Sequence, residues 1–114
     1  MGRSEVLADE AKRLREIEEA RRRDELRKLS NEVRKEEEQV KDLEGWVTAW
    51  SGAREIREFV AALEALWVSG GEDISPSSPH GQRLSWMRQQ AERLDPLVER
   101  PKSVLDRKHE LRYW

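Results

Sequence analysis

Apolar residues recur along the middle of the chain at helical intervals. Leu26, Leu29, Val33, Val40, Leu43, Val47 and Trp50 are separated by three, four, seven, three, four and three residues. These are the a and d positions of a heptad, with Glu36 as the single interruption. So narrow a stripe is the mark of a coiled-coil seam, whereas a helix lying on a globular core shows a broader face. Val33, Val40 and Val47 are β-branched at a, and Leu29 and Leu43 stand at d, a combination that favours parallel dimers. Glu36 at d opposes a tight core. Upstream, Leu7, Leu14 and Ile17 keep heptad spacing among themselves but out of phase with Leu26, and only Ala20 is apolar between Ile17 and Leu26. The seam therefore begins near residue 26.

A second rhythm starts before the first ends. Trp46, Ala49, Ala53, Ile56, Val60, Leu63 and Trp67 follow three-four spacing one residue out of step with the seam, and Phe59 and Leu66 widen the stripe. This predicts an amphipathic helix with a broad apolar face over 46–68. Gly52 lies at the phase change, where a kink or a break capped by Ser51 competes with continuity; the helical pattern of residues 53–58 favours continuity. Ser69-Gly70-Gly71 reads as a helix stop, and residues 69–78 as a loop. Ser78 before Pro79 is an N-cap with proline at the first helical position. Leu84, Met87, Ala91 and Leu94, with Trp86 beside them, mark a helix over 79–95 that ends at Asp95-Pro96. Ser103 and Asp106 resemble a short capping box opening a helix over 104–112, which carries Val104, Leu105 and Leu111 and ends near Tyr113 and Trp114.

These elements give an all-α fold: a long charged coiled-coil helix, a small helical hairpin with the tail folded across it, and a short C-terminal helix. Residues 1–45 form the charged helix and 46–114 the small helical unit. The expected core of that unit is Ile56, Phe59, Val60, Leu63, Trp67, Leu84, Met87 and Leu94. Such a core is small, and association with another chain would supply the missing burial.

Composition supports the helical reading. Of 114 residues 40% are charged and 36% hydrophobic, with a mean hydropathy of -0.97, which is unlike an ordinary compact globule. Disorder usually accompanies high net charge or abundant Pro and Gly. Here 22 basic residues nearly cancel 24 acidic ones, and there are only 4 Pro and 6 Gly. The first half is rich in Glu, Arg, Lys, Leu and Ala, all strong helix formers. Glu18–Arg22, Glu19–Arg23, Asp24–Lys28 and Glu37–Lys41 place acid before base at the favourable spacing of four. The chain contains no Cys, which removes disulfide, zinc-thiolate and thiol chemistry. No apolar run approaches a membrane span, and the charged N-terminus is unlike a secretory signal. The expected setting is cytoplasmic.

Candidate chemistry is sparse. His80 and His109 belong to no metal-binding spacing and read as solvated or capping residues. Glu36, Glu37 and Glu38 lack the Glu-x-x-His partner of a carboxylate-bridged metal bundle. There is no phosphate-cradling loop and no nucleophile elbow, so no enzyme and no cofactor are expected. Arg21, Arg22, Arg23, Arg27 and Lys28 form a basic stretch that could contact nucleic acid as basic helices do. Glu18, Glu19, Asp24 and Glu25 are interleaved there and would repel phosphates. The Trp residues read as packing or interface groups, with Trp114 as a possible docking anchor.

The stretch from Trp46 through Ile56-Arg57-Glu58-Phe59-Val60 to Arg93-Leu94-Asp95-Pro96-Leu97 resembles the C-terminal ends of uncharacterised bacterial proteins, in which a charged helix precedes a short Trp-containing helical unit. The resemblance implies a tail of a larger protein, with no activity or site residues attached. The expected function is oligomerisation and protein interaction: a homodimer through Leu26 to Trp50, or contact with another protein. Accessory nucleic-acid binding through residues 21–28 is the alternative.

Overall fold

The computed structural model describes residues 3–113. These residues form three helices and no strand: α1 (Arg3–Ser69), α2 (Pro79–Leu94) and a 3-10 helix (Val104–Tyr113). The fold is all-α. No helix among the described residues is long and apolar enough to cross a membrane. The chain divides into two compact units, residues 1–42 and 43–114.

In the first unit every described residue is exposed. Its helicity therefore rests on local terms: strong helix formers, an absence of proline, and pairs one turn apart. Lys28 Nζ lies 3.5 Å from Asp24 Oδ2. Arg23 bonds elsewhere than its carboxylate neighbour, donating from Nε to the Glu19 carbonyl at 3.4 Å. Local terms of this size leave an isolated helix marginal in water, where tertiary packing normally supplies most of the stability.

α1 continues unbroken through Gly52 and ends at Ser69. The Gly71 N–H bonds to the Val68 carbonyl at 3.1 Å and the Glu72 N–H to the Trp67 carbonyl at 2.9 Å. Gly71 has φ +76°. This is the Schellman arrangement, and it explains why glycine stands there. α2 starts as expected: Ser78 Oγ accepts the Gly81 N–H at 3.0 Å and donates to the Ser75 carbonyl at 2.6 Å. Pro79 occupies the first turn.

Residues 53–69 and α2 pair as an antiparallel hairpin. Arg57 meets Asp95, Glu64 meets Arg88, and Trp67 meets His80, so positions rise on one helix as they fall on the other. The centre is made of small side chains. Ala53, Val60, Leu84 and Ala91 are buried, and Leu84 is the largest side chain fully out of solvent. Ile56, Leu63, Trp67 and Met87 are half-buried. Two expected core residues fall outside. Phe59 is 60% exposed and Leu94 41%. Phe59 is rotated roughly 100° from Val60 around the helix and stands on the flank of the buried face. Leu94, in the last position of α2, lies over Gly52, its Cδ2 2.8 Å from where a β-carbon at that glycine would be.

The 3-10 helix carries Val104, Leu105 and Leu111 without burying them. Its start is polar. The Ser103 N–H donates to Asp106 Oδ2 at 3.0 Å, and the Leu105 N–H to Ser103 Oγ at 3.1 Å. Trp114, the expected anchor, lies outside the described residues.

Candidate interaction surfaces

Three surfaces follow from this arrangement. The first is the seam of α1. In the first unit Leu26, Leu29, Val33 and Val40 are 46–55% exposed. Val33, Glu36, Glu37, Val40 and Lys41 border a depression between the side chains. In the second unit Leu43 and Val47 are similarly exposed, and Trp50 is 40% exposed. The Arg54 guanidinium stands 5.6 Å from the centroid of Trp50, within cation–π range. Among the described residues of the first unit, which are a single helix, no other element covers Leu26, Leu29, Val33 or Val40.

The second surface is a groove of about 420 Å³ in the hairpin, lined by Gly52, Glu55, Ile56, Phe59, Trp86, Met87 and Gln90. Phe59 and Trp86 stand largely in solvent. Both side chains lie on the flanks of their helices, where packing of α1 on α2 leaves them beside the core.

The third is the basic stretch. Arg21, Arg22, Arg23, Arg27 and Lys28 are all exposed. Lys28 is engaged with Asp24, so neutralising carboxylates accompany the cations. No group of three or more His, Asp or Glu residues is placed to hold a metal ion among the described residues.

His80 corrects its reading as a solvated or capping residue. It is half-buried, its ring stacks on Trp67 with centroids 4.0 Å apart, and its Nε2 lies 3.4 Å from Glu72 Oε2. It packs the loop end of the hairpin, beside the connection from Ser69 to Pro79. His109 is exposed, with Nδ1 3.2 Å from the Asp106 carbonyl oxygen.

Two acids that sequence patterns had marked only as helix punctuation organise the hairpin. The Asp95 side chain is almost wholly buried. It receives Arg57 Nη1 at 2.7 Å and the Leu97 N–H at 2.9 Å. The Leu97 N–H and then Arg57 hold its carboxyl below the usual carboxylate range. Asp106 accepts both Arg93 Nη1 and Nη2, at 3.1 and 3.0 Å, and Arg100 Nη2 at 3.3 Å. The Arg93 bonds, followed by the Ser103 N–H, lower its carboxyl from 3.8 to about 2. Arg93 Nη1 also donates to the Pro101 carbonyl at 2.9 Å, and Gln89 Nε2 to the Lys102 carbonyl at 3.2 Å. These are structural clasps: each acid is held by at least one arginine and one backbone N–H. An acid-and-arginine pair separated by 38 or 13 residues leaves no spacing signal in sequence.

Compared with protein families, curated proteins and solved structures, the chain matches none.

Proposed function

We propose that the chain is a non-catalytic protein-interaction module that pairs through the α1 seam with a second helix, in a coiled coil. The supporting observation is the exposure of the a and d side chains from Leu26 to Trp50. Burying an aliphatic side chain of this size is worth about 1.5–3 kcal/mol relative to leaving it in water. A helix whose first 40 described residues are all exposed gains more from a partner than from any local term. The hairpin gives the module a folded end and fixes the end of α1.

The occupant is a second copy of the chain or a helix of another protein. Light scattering over a concentration series separates them: a self-paired chain gives twice the 13.5 kDa chain mass, whereas a chain awaiting a different partner stays at the single mass. In either form, Val33→Asp combined with Val40→Asp puts two carboxylates into the seam and removes pairing. A double variant that pairs as well as the parent sinks the seam as the interface.

A further inference from the structure

We infer that the helix covering the α1 seam comes from a different chain, and that it carries Lys or Arg along both flanks of its own apolar stripe. The inference rests on the coiled-coil reading above and specifies its partner. With Leu26, Val33 and Val40 at a and Leu29 at d, the flanking e and g positions of residues 25–42 are Glu25, Ser30, Glu32, Glu37 and Gln39. None is basic. Glu36 adds a carboxylate at d. The basic residues of the same stretch, Arg27, Lys28, Arg34, Lys35 and Lys41, all fall at b and c, on the outer sides of the helix. All of these residues are helical and exposed.

The e and g residues set partner choice in a coiled coil because they face each other across its edges. In two parallel copies, Glu32 at g approaches Glu37 at e of the other strand, and this happens on both edges. Glu36 meets its own counterpart across the axis between them. Six carboxylates then crowd one heptad with no cation on the contact side. In two antiparallel copies e faces e and g faces g, and again no basic group answers a glutamate. The valine and leucine seam favours pairing while its flanks reject a second copy, which is how specificity is built by repulsion as well as attraction. Lys or Arg at the e and g positions of a foreign helix, with a basic residue facing Glu36, turns each rejection into an ion pair.

The test titrates the full chain with two synthetic four-heptad helices that share Val at a and Leu at d. One carries Lys at every e and g position and the other Glu. Binding is read by fluorescence anisotropy at neutral pH. The Lys helix is expected to bind about tenfold tighter or more, with an advantage that shrinks as salt is added and binding that vanishes in the Val33→Asp, Val40→Asp chain. A chain carrying Glu25→Lys, Glu32→Lys and Glu37→Lys, its helicity verified by circular dichroism, should reverse the preference. Equal affinity for the two helices, or a seam-dependent dimer of the chain alone at neutral pH, overturns the heterotypic partner and leaves the coiled-coil reading standing. Binding of neither helix by a chain that stays single overturns both.

Discussion

Glycine shows how differently one residue type is used along this chain. Gly81 sits buried in the first turn of α2, where a β-carbon would lie 1.8 Å from the Ser75 carbonyl oxygen and 2.8 Å from that of Ile74. Both neighbours are backbone and cannot swing aside. The turn also supplies the Ser75 carbonyl that Ser78 Oγ bonds, so displacing it disturbs the cap of α2. Gly45 is the opposite case. It lies inside α1 with nothing within 4 Å of a β-carbon, so it pays the helical penalty of glycine with no packing in return. Gly45→Ala should therefore raise stability by up to about 1 kcal/mol. Gly81→Ala should lower it by about 1–3 kcal/mol or more, as overpacking does. Thermal melts followed by circular dichroism read both. A neutral Gly81→Ala would mean that the loop at residues 74–75 yields freely, contrary to its bonding.

At the scale of elements, the punctuation of the hairpin was readable in sequence because caps are local chemistry. Gly70-Gly71, Ser78-Pro79 and Asp95-Pro96 each act through bonds to residues within a turn or so. The 3-10 helix was legible only in its position. Its attachment depends on Arg93 reaching Asp106 across 13 residues, and a single sequence carries no trace of such a pairing. The core was likewise half legible: spacing located the faces, but the buried positions are the small Ala53 and Ala91 while Phe59 stays 60% exposed, and spacing does not report how close two helices come. The seam was legible as a pattern, and its exposure followed only from the structure. The Arg93 clasp has a pH signature with a definite sign. Because the folded carboxyl of Asp106 is lowered from 3.8 to about 2, the clasp stabilises the native tail fully above pH 3.8. That contribution is lost as pH falls through the folded value. Carboxyl NMR should place the Asp106 midpoint near 2, and Arg93→Gln should move it upward toward the ordinary range. A midpoint near 3.8 in the parent chain would mean that the clasp is open in solution.

For the whole molecule, the two units hold their helices by different means, and this should be visible as a gradient of local stability. In the second unit, Ala53, Val60, Leu84 and Ala91 are buried, and long-range pairs such as Arg57–Asp95 join the hairpin. Opening an amide there requires breaking the core, so protection approaches the global stability. In the first unit no described side chain is buried, and opening breaks only helical hydrogen bonds and weak pairs of charges. Hydrogen exchange at neutral pH should therefore find amides around Val60 and Leu84 slowest and those of residues 3–25 fastest. Residues 26–42 should start among the fast group and become slow on addition of a helix with basic flanks, because burial of Leu26, Leu29, Val33 and Val40 joins their segment to a packed interface. Residues 3–25 should gain less, since Leu7, Leu14 and Ile17 are out of phase with that seam and only Ala20 lies between. Uniform protection along α1 before any partner is added would contradict this gradient. It would show that the charged segment already holds itself together through side-chain pairing, and the free-energy argument for a covering helix would lose its force.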